Sequence, residues 1–82
     1  MDNSQIKNTI QSAGLDVSSV IFATNSAEVT FLIHDKTSVY FSAEKDIKNQ
    51  LDLVQAIDRQ LTADGKQAIV IDLRYNKPIV RF

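Results

Sequence analysis

The sequence predicts an α+β fold made of a helix, a three-stranded antiparallel meander, a long amphipathic helix and a C-terminal pair of strands. Apolar residues recur with a helical period in two segments and alternate with the period of two of β-strands in the others. No linker, repeat or low-complexity stretch interrupts this order. One sheet with the helices packed on one face is the economical arrangement for such a chain.

Size and composition restrict the possible functions. A chain of 82 residues forms a single domain, 1–82, because a chain this short buries only about 60% of its unfolded surface and has no material for a second core. Nine basic and ten acidic residues give a net charge of −1, so no overall field attracts nucleic acid or anionic lipid. The absence of cysteine excludes disulfides and thiolate zinc sites.

The first helix is predicted from Ile6, Ile10 and Ala13, which share one face of a 3.6-residue period. Three candidate N-caps precede them: Asp2, Asn3 and Ser4. Gly14 fits the left-handed position that ends a helix, and Leu15 is expected to fold back onto the core.

The meander follows directly. Residues 17–23 are rich in β-branched and aromatic side chains, 24–26 have turn chemistry, and 28–33 resume a strand. A second turn at 34–37 leads to a third strand at 38–41.

The long helix is marked by apolar residues at spacings of three and four: Ile47, Leu51, Val54, Ile57 and Leu61. Ser42 is the predicted N-cap, and Glu44 and Lys48 are predicted to form a favourable i,i+4 pair. Gly65, after Asp64, is predicted to end the helix.

The closing strands are predicted at 69–75 and 79–82. Side chains of the first alternate between two faces, with Ile71 and Leu73 on one and Asp72 and Arg74 on the other. A last strand whose outer edge stays uncovered is a template for strand addition by another polypeptide. This predicts binding rather than catalysis.

A catalytic function has few residues to support it. His34 is the single histidine, and the chain has no cysteine and no glycine-rich phosphate loop. A turn or strand-surface position is the expected role of His34, and His34-Asp35 alone is a weak metal signal. We therefore predict no enzyme activity, no catalytic residue, no cofactor and no metal site.

An alternative is a double-stranded-RNA-binding module, since such domains share the α-β-β-β-α order and bind phosphates through lysines at the start of the second helix. Lys45 and Lys48 lie roughly there. Glu44 and Asp46 alternate with them, however, and a site without a basic cluster lacks the counterion release that drives such binding. Nucleic acid is therefore not the expected partner.

Two segments near the C-terminus resemble the C-terminal β domain of the bacterial cell-division proteins FtsQ and DivIB: Ile71-Asp72-Leu73-Arg74-Tyr75 and Pro78-Ile79-Val80-Arg81. The similarity extends over most of the chain. Residues 6–15 resemble the short helix of the family, 20–41 its meander and 47–61 its leucine-rich helix.

This resemblance implies a non-enzymatic, extracytoplasmic domain of a membrane-anchored protein at the cell septum. Such a domain recruits or regulates septal peptidoglycan synthesis by binding the small single-span partners FtsB and FtsL. Family members also carry a cytoplasmic tail, a transmembrane helix and a POTRA domain upstream. Residues 1–82 are thus expected to be an excised domain, monomeric in isolation, whose membrane association depends on that upstream helix.

In the family, the partner adds a strand at the edge formed by the last strand, and the matching positions here are Arg74, Tyr75, Ile79, Val80, Arg81 and Phe82. Tyr75 and Phe82 are the expected anchors, and Arg74 is suited to a two-pronged contact with a partner carboxylate. In the alternative interpretation, Tyr75 and Phe82 cap the core and Arg74 pairs with Asp72.

The connection before the last strand departs from the family, in which a glycine is common at this turn. Pro78 disfavours the left-handed geometry that a tight two-residue turn would require at Lys77, so a wider loop is predicted. Lys77, Pro78 and Arg81 are also typical of edges that avoid pairing with copies of themselves.

Overall fold

The computed structural model describes residues 3–23 and 27–82, which contain two helices and one five-stranded sheet. The elements in chain order are α1 (Asn3–Gln11), β1 (Val17–Phe22), β2 (Glu28–Ile33), β3 (Thr37–Ser42), α2 (Ile47–Ala63), β4 (Val70–Asp72) and β5 (Ile79–Arg81). The predicted α+β fold is confirmed. The predicted turn at 24–26 and the candidate cap Asp2 lie outside the described residues, and the other two candidate caps, Asn3 and Ser4, are part of α1.

The strands lie side by side in chain order, β1-β2-β3-β4-β5. Neighbours pair antiparallel except for β3 and β4, which are parallel. The parallel pair follows from the position of α2, because a chain that returns through a helix re-enters the sheet in its original direction. The predicted meander is β1-β2-β3, and the closing pair is β4-β5.

The core lies between the helices and one face of the sheet. Phe31 and Phe41 are fully buried there and meet edge to face, with ring centroids 5.0 Å apart. The other buried apolar side chains are Ile6, Ile10, Val29, Ile33, Val39, Ile47, Leu51, Val54, Ala68, Ile71 and Leu73. Because side chains alternate along a strand, the residues between these positions form a second, helix-free face.

Strand β1 forms one edge of the sheet and contains a bulge. Ser18 pairs with Leu32 and Ile21 pairs with Thr30, so two residues of β1 oppose one of β2. Ser19, inside the bulge, has a positive φ of 54°. Bulges of this kind twist an edge and discourage further strand pairing.

The beginning of α2 corrects the prediction. Ser42 is the last residue of β3, and Asp46 is the N-cap, with its side chain accepting from the backbone N–H groups of Lys48 and Asn49. Glu44 precedes the helix, so the predicted helical pair with Lys48 is wrong. Buried Gln50 joins the two elements, because its amide accepts from Ser42 N and donates to Ser42 O at 2.8 and 2.9 Å.

The end of α2 agrees with the prediction. Gly65 follows the C-cap Asp64 with a φ of 68°. The Gly65 N–H donates to Thr62 O and the Lys66 N–H donates to Leu61 O, at 3.1 and 2.8 Å. These two bonds form a Schellman motif, which satisfies carbonyls that the helix leaves unpaired.

Strand β4 is shorter than the predicted 69–75. Leu73 is buried as expected, but Ile69 and Tyr75 are exposed and lie beyond the two ends of the strand. Asp72 pairs with Ile79, so residues 73–78 form the connection to β5. The predicted wide loop is confirmed.

Candidate interaction edge

Strand β5 forms the other edge of the sheet, and among the described residues its one strand neighbour is β4. The Arg81 carbonyl accepts from Ile69 N–H at 2.8 Å, so the backbone groups of Arg81 face β4. Because successive residues of a strand direct their N–H and C=O groups to opposite sides, those of Val80 face away from the sheet. Val80 therefore presents a donor and an acceptor to an added strand.

The two faces of β5 have different neighbours. Val80 lies opposite Ile71 and packs against the core, on the helix side of the sheet. Ile79 and Arg81 lie opposite Asp72 and Val70, on the helix-free face. An added strand would meet an apolar side chain on one face and an isoleucine and an arginine on the other.

Exposed apolar side chains concentrate around this edge. The large hydrophobic side chains that are exposed in the described part of the chain are Ile21, Leu53, Ile69, Tyr75, Ile79 and Phe82. The last four belong to β5 or to the residues flanking β4 and β5, with Tyr75 58% and Phe82 66% exposed. Such clustering is typical of surfaces that bind other proteins.

Arg74 is held within the chain. Its Nε and Nη2 donate to the two carboxylate oxygens of Asp72 at 2.9 and 2.6 Å, and its Nη1 donates to Glu28 Oε2 at 3.2 Å. The Asp72 carboxylate also accepts from Arg74 N–H at 3.0 Å. The pairing with Asp72 considered from the sequence is confirmed. A partner carboxylate would have to displace these bonds in order to pair with Arg74.

This arrangement changes the protonation equilibria of both partners. Hydrogen bonds from the Arg74 side chain lower the pKa of Asp72, against the opposing effect of burial, and the charge of Arg81 lowers it further. The bonds to Asp72 raise the pKa of Arg74. Arg81 thus lies near enough to Asp72 to influence it, although no hydrogen bond joins their side chains in the described structure.

Two tyrosines and a lysine make further contacts with the segment that connects β4 to β5. The Arg74 guanidinium carbon lies 4.8 Å from the ring centroid of Tyr40 and 5.3 Å from that of Tyr75. The Lys45 ammonium donates to the Tyr75 carbonyl at 3.0 Å. These contacts place Tyr75 on the surface beside the edge rather than over the core.

Several residues that contact Arg74 or the β4–β5 connection cannot be recognised from their local sequence. Glu28 lies 46 positions from Arg74 along the chain, and nothing in its local sequence indicates the contact. The position of Tyr40 in its strand gives no sign of a contact with Arg74. The sequence around Lys45 suggests at most a phosphate-binding residue, whereas the structure places Lys45 just before α2 with its ammonium on a backbone carbonyl.

His34 occupies the predicted turn, with a positive φ of 55°. Its Nε2 lies 3.1 Å from Asp58 Oδ2 on α2, and its Nδ1 lies 4.0 Å from Asp16 Oδ2. The ring therefore connects the β2–β3 turn to the helix. Within residues 3–23 and 27–82, the structure contains no group of three or more side chains suited to hold a metal ion.

The fold and its edge define a class: an α+β domain with one bulged sheet edge and one regular edge bordered by apolar side chains. Neither a protein-family model nor a curated protein matches this sequence. In the described part of the chain, α1 and α2 both lack the length and apolar character needed to cross a bilayer.

Proposed function

We propose that this domain is a non-enzymatic protein-interaction module of the bacterial cell-division complex. It binds a small single-span division protein of the FtsB or FtsL type by strand addition at β5. The observation that carries the proposal is the edge position of β5, with the backbone groups of Val80 directed away from the sheet. The bulge in β1 makes the opposite edge a poorer template.

The division context is supported by the resemblance of residues 71–75 and 78–81 to the closing strands of FtsQ and DivIB. In that context the domain lies on the extracytoplasmic face of the membrane, and an upstream transmembrane helix anchors it at the septum.

Affinity and specificity come from different parts of the edge. Backbone hydrogen bonds to Val80 supply affinity that any strand can use, whereas the flanking side chains select the partner. Tyr75 and Phe82 are the anchors, because large exposed aromatic side chains dominate many interfaces. Arg74 contributes indirectly, since its contact with the Tyr75 ring helps to orient that anchor.

A titration followed by NMR tests the site of binding. Adding a soluble FtsB-like segment to the labelled domain is expected to shift the amide signals of residues 79–82 most strongly, with smaller shifts in β4. Shifts confined to α1 and α2 would contradict strand addition. Titration with duplex RNA tests the alternative function: salt-sensitive binding that Lys45→Glu abolishes would favour an RNA-binding module.

Tyr75→Ala is expected to weaken partner binding about tenfold, as loss of an interface anchor does. Stability should fall by no more than about 1 kcal/mol, the size of a partly exposed cation–π contact, because the ring is 58% exposed. Calorimetric titration and urea denaturation measure the two effects. Ile21→Ala, at an equally exposed apolar residue on β1, is the matched control and should leave binding unchanged. A large fall in stability for Tyr75→Ala would assign this ring to the core.

A further inference from the structure

We infer that the strand bound at β5 carries an acidic side chain opposite Arg81 and apolar side chains opposite Ile79, Val80 and Phe82. This inference rests on the proposed function, because it specifies the partner that strand addition at this edge selects. It makes Arg81 a specificity determinant of the edge.

Arg81 has no ion-pair partner of its own among the described residues, although its charge acts on Asp72. The nearby Asp72 is already held by both prongs of Arg74. Arg81 is exposed in the isolated domain, so water solvates the charge. A strand laid along β5 removes part of that water, and a covered charge without a partner is costly. A carboxylate on the adjacent strand offsets this cost.

Pairing of an added strand with β5 would place such a carboxylate on the helix-free face of the sheet. Arg81 and Ile79 share the helix-free face, so the residue opposite Arg81 is separated by one position from the residue opposite Ile79. Val80 lies on the helix side beside the core. Extension of β5 by one residue on binding would place the exposed Phe82 on that same side, where an apolar residue of the added strand would pack. The complementary strand is thus mainly apolar, with an acidic residue at one position of its helix-free face.

A second copy of this chain fits the edge poorly. In an antiparallel pair of two β5 strands centred on Val80, Arg81 of each copy lies opposite Ile79 of the other. Neither guanidinium then meets a carboxylate, and Lys77 adds a further positive charge beside each strand. The net charge of −1 for the whole domain provides no general attraction for acidic peptides. A preference for an acidic strand would therefore be a local property of this edge.

Three synthetic peptides test the inference. Each is rich in valine on both faces, with threonine only at its ends, and they differ at one central position, which is glutamate, glutamine or lysine. Binding is measured from amide shifts of residues 79–82 at up to millimolar peptide. The glutamate peptide is expected to bind about fivefold more tightly than the glutamine peptide, the upper range for an opposite-charge cross-strand pair, and the lysine peptide is expected to bind most weakly. High salt should reduce the differences.

Arg81→Gln and Lys48→Gln are the matched variants. Lys48 is an exposed cation on α2, away from β5. The preference for glutamate should vanish in Arg81→Gln and persist in Lys48→Gln. Equal affinities of the three peptides at residues 79–82, or a preference that survives Arg81→Gln, would overturn the inference and leave strand addition standing. Absence of shifts at these residues with all three peptides would overturn strand addition and the inference together.

Discussion

Replacing Arg74 with alanine is expected to lower the free energy of unfolding by about 3 kcal/mol. The variant leaves the Asp72 carboxylate, which is mostly buried, without its bidentate partner. Removing one member of a buried ion pair is costly because the remaining charge stays desolvated, and about 3 to 5 kcal/mol is the range for fully buried pairs. Because the Arg74 side chain is 25% exposed, we expect a loss at the lower end of that energy range. Urea denaturation followed by circular dichroism measures the change.

A double-mutant cycle identifies the cause. Asp72→Asn removes the charge that Arg74→Ala would leave unpaired, so the double variant should be more stable than the sum of the two single effects predicts. Arg74→Lys keeps the positive charge but loses the planar two-pronged geometry, and an intermediate stability is expected. If Arg74→Ala changed stability by less than about 0.5 kcal/mol, as surface substitutions usually do, the pairing of Arg74 with Asp72 would not stabilise the fold.

The Asp72–Arg74 pair is expected to make the stability of the fold fall as the pH falls. The folded-state pKa of Asp72 is lower than the ordinary carboxyl value of 3.8, chiefly because of the Arg74 side-chain hydrogen bonds. The unfolded state therefore takes up the proton first as the pH falls. The contribution of the pair to the free energy of unfolding is fully present above about pH 5. It is lost as the pH falls below 3.8, the ordinary carboxyl pKa, and then through the lower pKa that Asp72 has in the folded state. The stability difference between the wild type and Arg74→Ala should shrink on acidification over this range.

Local patterns were sufficient to predict much of the fold. Glu28–Ile33 has alternating apolar residues and forms a strand with the predicted bounds. Gly65 ends α2 through a local Schellman motif, which the sequence around it indicates. The start of α2 was predicted wrongly because Ser42 and Asp46 are both good N-caps. Pairing of Ser42 with Glu28 keeps Ser42 in β3, and this choice depends on a residue far away in sequence.

Non-local contacts explain the other differences. The alternation from Ile69 to Tyr75 continues past the strand that forms, because parallel pairing with β3 extends only from Val70 to Asp72. The edge position of the last strand follows the order of elements and was predicted. The contacts of Arg74 beside this edge are predictable only in part. The Asp72–Arg74 pair is local in sequence, whereas the contact between Arg74 and Glu28 requires the folded sheet.

Val80→Pro is expected to weaken partner binding about 10- to 100-fold. This is the effect of leaving one buried backbone acceptor of the partner unpaired. Proline lacks the backbone N–H that faces away from the sheet at this position. The ladder with β4 uses the backbone groups of the neighbouring residues, including the Arg81 carbonyl, and is retained. Proline is tolerated on edge strands for this reason. Titration of the soluble partner segment measures the loss.

Val80→Ala is the control that makes the result specific to the backbone. Both variants lose the side chain that packs beside the core, and alanine keeps the N–H group. Val80→Pro and Val80→Ala should therefore have similar stabilities, within about 1 kcal/mol, while only the proline variant loses most of its affinity. Equal binding by the two variants would mean that the partner does not pair with the β5 backbone. Docking would then depend on side chains such as Tyr75 and Phe82, and the edge would be an ordinary protein surface rather than a template for another strand.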